Sequence, residues 1–189
     1  GHGAVKAGKQ GHDFVMVPTG TMYLNSYQGP QWQEPVLAFT GGNTLKNIYQ
    51  YEPIELYWTM SMRSHLLGLQ TALWTEFCEK KEDVDYLLYP RLAAVSEAAW
   101  SSPMAKRWER FVMMLDDYRE KWEMKGVRSS MSEYNVKHEV MPSFGDLKVT
   151  LSCIRPDVEI RYTTDGSEPH EYSMLYRRPW VVKESQTVK

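Results

Sequence analysis

Two short apolar runs constrain this chain more than any other feature. Asp13-Phe14-Val15-Met16-Val17-Pro18 is rich in β-formers and is stopped by proline. Leu66-Leu67-Gly68-Leu69-Gln70-Thr71-Ala72-Leu73-Trp74 reads as a second buried strand, with Thr75-Glu76 at its C-terminal end. Helical patterns flank both. Ala4 to Gln10 is compatible with a helix that Gly11 ends. Thr44 suits the cap of a helix through Leu45, Ile48 and Tyr49 that Pro53 ends. Val84, Leu87, Leu88, Arg91, Leu92, Val95 and Ala99 recur with helical spacing, and Pro90 should kink that helix or mark a restart. Trp108, Phe111, Val112, Leu115, Tyr118 and Trp122 predict a last helix, starting near Ser101 or Ser102 ahead of Pro103 and stopping at Gly126. The order strand, helix, strand, helix, helix predicts an α/β fold with parallel strands. Two strands do not make a domain, so this piece is expected to belong to something larger.

The pattern changes near Ser129, which sets the expected domains at 1–128 and 129–189. Lys148 to Cys153 and Glu159 to Thr164 alternate like half-buried strands. Asp165-Gly166 between such stretches reads as a hairpin turn, and Trp180 to Val182 and Thr187-Val188 are further strand candidates. This second part reads as a small all-β sandwich. It stops at Gln186-Thr187-Val188-Lys189 in mid-alternation, and the start at Gly1 lacks a methionine, so both ends are expected to be truncations.

Composition narrows the function. A net charge of −2 with no long basic run gives a nucleic-acid partner no electrostatic support. No apolar stretch reaches the roughly 18 residues that a membrane helix needs. Seven Trp and twelve Tyr supply core, and they also supply rings of the kind that stack on sugars. Cys78 and Cys153 are read as free thiols. His12 and His65, each ahead of a strand, are read as structural; His138 and His170 have no second ligand at metal spacing, and no metal or cofactor is expected.

Three stretches together resemble one family. They are Gly11 to Pro18 with Tyr23-Leu24-Asn25-Ser26-Tyr27-Gln28, then Leu67 to Glu76, then Tyr86-Leu87-Leu88-Tyr89-Pro90-Arg91-Leu92-Ala93-Ala94-Val95-Ser96-Glu97-Ala98-Ala99-Trp100-Ser101. In order and spacing they are similar to the last third of the catalytic barrel of glycoside hydrolase family 20 β-N-acetylhexosaminidases. Val158 to Pro169, with Leu175-Tyr176 and Ser185 to Lys189, resembles the small β-sandwich that follows that barrel in many bacterial members.

The resemblance implies a fold and a chemistry. The fold would be the C-terminal portion of a (β/α)8 barrel, carrying its seventh and eighth strands, followed by the small sandwich. Such barrels place their active sites at the C-terminal strand ends. The chemistry would be exo-hydrolysis of terminal N-acetylglucosamine or N-acetylgalactosamine from glycans, assisted by the substrate's own acetamido oxygen. The family's acetamido-holding Asp and its acid Glu are adjacent in sequence, and this chain contains no Asp-Glu dipeptide. By itself it is expected to be inactive. What it would contribute is substrate binding. Tyr23 matches the tyrosine that donates to the acetamido oxygen. Trp74 matches a wall of the methyl pocket, and Glu76 matches the carboxylate that accepts from sugar hydroxyls. Asn25 stands where the family usually has Asp. The resemblance also implies a periplasmic or extracellular parent protein.

Other readings remain beside this one. The chain could be a non-catalytic carbohydrate-binding or structural module, self-associating through open barrel edges. Without the resemblance, Tyr23 is a loop residue, Trp74 is core, and Glu76 caps the following helix. Arg91 and Glu97 are expected as an ion pair or as separately paired residues. Trp100, Trp108, Trp122 and Trp180 are expected in the core.

Overall fold

Both apolar runs form strands, and they pair in parallel. In the computed structural model, which describes residues 2–189, β1 (Phe14–Met16) lies beside β2 (Leu66–Leu69). Phe14 pairs with Leu66 but Val15 pairs with Gly68, so Leu67 is an extra residue. Such a bulge needs unusual backbone angles, and Gly68 provides them with φ at +153°. Regular pairing stops at Met16 and Leu69, where the partner strand turns away at Pro18 and Thr19–Met22, so regular β2 is shorter than the apolar run. The pairing then resumes. Leu24 N donates to Ala72 O at 2.8 Å, Ala72 N donates to Met22 O at 2.9 Å, and Tyr23 bridges Ala72 in the same parallel sense.

Helices cover this pair. α1 (His2–Lys9) ends at Gly11, whose φ is +77°. α2 (Thr19–Met22) is a single turn leading into Tyr23. α3 (Leu45–Tyr49) starts at Thr44, whose hydroxyl accepts from Asn47 N at 3.2 Å. α4 (Met60–Ser64), capped by Thr59, is too short for periodicity to reveal. α5 (Lys81–Leu88) and α6 (Arg91–Trp100) are separate helices, so Pro90 marks a restart. Asp83 Oδ2 accepts from Glu79 N and Lys80 N at the head of α5. α7 (Trp108–Met124) begins later than expected, because Pro103–Ala105 forms its own 3-10 turn. Gly126, with φ at +69°, follows its end.

Leu24, Leu45, Ile48, Tyr49, Ala94, Phe111, Val112 and Leu115 form one buried cluster. Trp108 and Trp122 pack against it as expected, but Trp100 does not and is 88 % exposed. Arg91, Ala94 and Ala98 line the buried face of α6. Trp100 lies two positions past Ala98, roughly 200° round the helix.

Arg91 is the chief polar feature of this core. It is 0 % exposed. Nε donates to Leu87 O at 3.0 Å, and Nη1 donates to Ser26 O and Asn43 O, each at 3.0 Å. Nη2 donates to Leu24 O and to Leu87 O, both at 2.5 Å. Leu87 O belongs to the last turn of α5, where carbonyls lack helical partners. Glu97 instead accepts from Ser101 Oγ at 2.9 Å, so these two residues are separately paired. Burial pushes the Arg91 pKa down to about 9, partly offset by the Glu34 carboxylate, and the side chain is a cation at neutral pH.

The chain divides into two units, residues 1–132 and 133–189. The second has no α-helix among the described residues. β3 (Lys137–Ser143) and β4 (Asp146–Ser152) form a hairpin, and β7 (Trp180–Val182) pairs with the other edge of β4. The hairpin turn is Phe144-Gly145, with φ of +52° and +92°. β3 was not legible, because its side chains are almost all exposed and Pro142 interrupts it; as an edge strand it tolerates both. β5 (Arg161–Tyr162) pairs with β6 (Met174–Leu175). Asp165-Gly166 is therefore not a two-residue hairpin turn, because it lies inside the long β5–β6 connection. There Asp165 Oδ1 accepts from Ser167 N at 3.0 Å and from Ser167 Oγ at 2.6 Å. Thr187 bridges Asp165, and Trp180 stacks on Tyr162 with ring centroids 4.5 Å apart.

Replacing Arg91 with Met should remove the charge and leave three loop carbonyls without their donor. The expected loss is about 3–5 kcal/mol, read as a lower urea midpoint by tryptophan fluorescence. Arg91→Lys should recover little of it, since one ammonium cannot reach the same four carbonyls.

Candidate functional site

The ladder places the four residues singled out from sequence at one end of the parallel pair. Tyr23 is opposite Ala72, and Trp74 and Glu76 follow Ala72 at alternate positions. Alternation sorts the faces. Leu24 is fully buried, and Leu73 packs against the same cluster. Tyr23, Ala72 and Trp74 are out of phase with those two leucines and belong to the other face. Trp74 is 59 % exposed, so it is not the core residue that its apolar strand suggests. Glu76 is exposed and sits in a turn ahead of Lys81, so it does not cap α5. Asn25 is buried, and its carbonyl accepts from Phe39 N at 2.9 Å.

The loop carrying Tyr23 and Asn25 is held by polar residues that periodicity does not flag. Asn43 is buried, and its Nδ2 donates to Thr21 O at 2.6 Å and to Tyr23 O at 3.2 Å. Its backbone N donates to Tyr27 O at 2.9 Å. Arg91 takes the carbonyls of Leu24 and Ser26, as described. Further along, Gln28 Nε2 donates to Tyr86 O at 2.6 Å. Glu34 Oε1 accepts from Gly29 N at 2.6 Å and from Ser132 Oγ at 3.1 Å, and Oε2 accepts from the Tyr86 hydroxyl at 2.9 Å. Burial raises the pKa of that phenol. The one signal that could have found Arg91 is its charge on an otherwise apolar helical face. Asn43 lies in a Gly-Gly-Asn-Thr stretch that reads only as loop.

Cys78 lies close to this end of the sheet. Burial raises its pKa, with the Asp83 and Glu76 carboxylates adding to the effect, so it rests as a thiol and is a poor nucleophile. No group of three or more His, Cys, Asp or Glu among the described residues is arranged to hold a metal. No helix among them is long and apolar enough to cross a membrane. Tyr23, Trp74 and Glu76 bring a phenol, an aromatic ring and a carboxylate to one strand end, residue types suited to binding a polar ring with an apolar face, whereas Asn25 is buried.

Known proteins match this architecture. A sequence model described as the glycosyl hydrolase family 20 catalytic domain matches residues 1–103. A second, described as the chitobiase/beta-hexosaminidase C-terminal domain, matches residues 143–189. The chain is 32 % identical over 186 residues to a beta-hexosaminidase of Porphyromonas gingivalis, covering 94 % of this chain and 23 % of that protein. It is 34 % identical over 94 residues to a beta-hexosaminidase of Vibrio furnissii, covering 49 % of this chain and 15 % of that protein. Among solved structures, an exo beta-N-acetylglucosaminidase from Vibrio harveyi in complex with N-acetylglucosamine aligns with a TM-score of 0.63 and 29 % identity, covering 69 % of this chain and 21 % of that one. The chain belongs to glycoside hydrolase family 20, with a domain derived from a TIM barrel followed by the C-terminal domain that accompanies it. It spans less than a quarter of the length of each of these relatives.

The loop network has a measurable weight. Glu34→Ala leaves three donors without their acceptor and should cost about 2–4 kcal/mol, whereas Tyr86→Phe should cost about 1 kcal/mol. Urea denaturation of both variants checks the ranking.

Proposed function

We propose that this chain supplies the last two strands of a (β/α)8 barrel, and with them part of the substrate site of an exo-β-N-acetylhexosaminidase. The observation that carries the reading is the juxtaposition of Tyr23 with Ala72-Leu73-Trp74 across a parallel ladder. In a barrel of this kind that end of the strands faces the substrate. The match to the family's catalytic domain and the likeness to an exo-acting relative support it. Residues 133–189 would be the accompanying β-sandwich.

The residues then take distinct tasks. The substrate's acetamido oxygen attacks the anomeric carbon while an acid protonates the departing oxygen. The resulting ring carries positive charge shared with the former amide. The Tyr23 hydroxyl donates to the acetamido oxygen and holds it in line for attack. Trp74 lends an apolar wall to the acetamido methyl. The Glu76 carboxylate accepts from sugar hydroxyls, which fixes the ring without taking part in proton transfer. Asn25 both donates and accepts where a carboxylate would only accept, so it recognises a hydroxyl without adding charge. The Asp-Glu pair, absent from this sequence, would come from elsewhere in the polypeptide. The parent would act on glycans outside the cytoplasm. The chain alone would be inactive, and would self-associate through the outer edges of β1 and β2, where Val15 and Leu67 are 46 % and 67 % exposed.

Full-length protein should release p-nitrophenol from its N-acetyl-β-glucosaminide, and residues 1–189 alone should not. Tyr23→Phe should lower kcat about 100- to 1,000-fold, as loss of one preorganised donor does, with KM little changed. A full-length protein inert towards every N-acetylhexosaminide would refute the assignment.

A further inference from the structure

We infer that Asn43 is a positioning residue for Tyr23, acting through the backbone and not by touching substrate. The inference rests on the proposed role of Tyr23. Tyr23 follows α2, a single turn of four residues. So short a helix has little hydrogen bonding of its own to hold its end, and its last carbonyls need outside partners. Asn43 supplies them. Its Nδ2 donates to the carbonyl of Thr21 at 2.6 Å and to that of Tyr23 itself at 3.2 Å. Its backbone N holds the Tyr27 carbonyl at 2.9 Å, and its own carbonyl is held by Arg91 Nη1 at 3.0 Å. One residue therefore brackets the loop on both sides of Tyr23 and passes the restraint to α6.

The chemistry of the bracket is specific to an amide. Both targets are carbonyl oxygens, so the group facing them must donate twice while carrying no charge in a site that is 2 % exposed. An aspartate has nearly the same shape but offers only acceptors at neutral pH, and would repel both carbonyls. A serine or alanine does not span the gap. The opposite edge of Tyr23 is fixed by its bridge to Ala72, so release of its carbonyl leaves the strand in place and frees the residue to rotate about it. A rotation that moves the phenol hydroxyl by a few tenths of an ångström weakens its aim at a reacting oxygen more than it weakens sugar binding.

The test is a double-mutant cycle in the full-length protein, with kcat and KM measured on p-nitrophenyl N-acetyl-β-glucosaminide. Asn43→Ala should lower kcat about 10- to 100-fold with KM within about threefold. In a Tyr23→Phe background the same change should lower kcat less than about twofold, since the hydroxyl it serves is already gone. Asn43→Ser, uncharged and too short to reach both carbonyls, provides the same comparison if the alanine variant does not fold. Losses that multiply in the double variant would overturn the inference and make Asn43 a structural residue only. A Tyr23→Phe enzyme with unchanged kcat would instead overturn the role of Tyr23, and the inference with it.

Discussion

A buried guanidinium organises the first unit. Arg91 sits at the start of α6 with no exposed surface, and its five donors reach four carbonyls. A cation in such a place is costly unless its hydrogen-bonding capacity is met, and carbonyl dipoles meet it here in place of a carboxylate. Arginine suits the task because its planar fork addresses several acceptors in fixed directions. The three loop carbonyls come from Leu24, Ser26 and Asn43, in segments with no regular secondary structure of their own. The loop after α2 thus takes its shape from a helix remote in sequence.

The rest of the site follows from strand geometry. Parallel pairing of β1 with β2 sets Tyr23 against Ala72, and alternation then sends Leu24 and Leu73 inward and Trp74 to the surface. The register at this point is set anew by α2, because Met16 pairs with Leu69 but Tyr23 pairs with Ala72, with six residues between the pairs on one strand and two on the other. Register and loop bracket act on different sides of Tyr23. One fixes its place along the strand, and the other fixes its carbonyl.

Much of this was legible in sequence where a periodic or capping signal existed. The two strands, α1, the Thr44 cap, the restart at Pro90 and the stop at Gly126 all announced themselves. Tyr23, Asn25, Trp74 and Glu76 came from resemblance to a family, because their residue types alone favour loop, core and cap. Signals failed where tertiary contacts decide. Trp100 looked like core because its helix is apolar nearly all round, yet α6 turns Arg91, Ala94 and Ala98 inward instead. Asp165-Gly166 has hairpin chemistry but no strands paired across it, whereas Phe144-Gly145 turns the chain without the usual Asn or Asp. β3 carries almost no buried side chain and left no alternation to read. Asn43 had no sequence signal, because its worth lies in which carbonyls the fold brings to it.

The central claim is that the end of the β1–β2 pair is a sugar site built around Tyr23. The most direct measurement is a crystal structure of the full-length protein with N-acetylglucosamine bound. The account predicts the Tyr23 hydroxyl within hydrogen-bond distance of the acetamido oxygen, Trp74 against the acetamido methyl, and Glu76 accepting from ring hydroxyls. A sugar bound in the active site without contact to any of these three residues would contradict it.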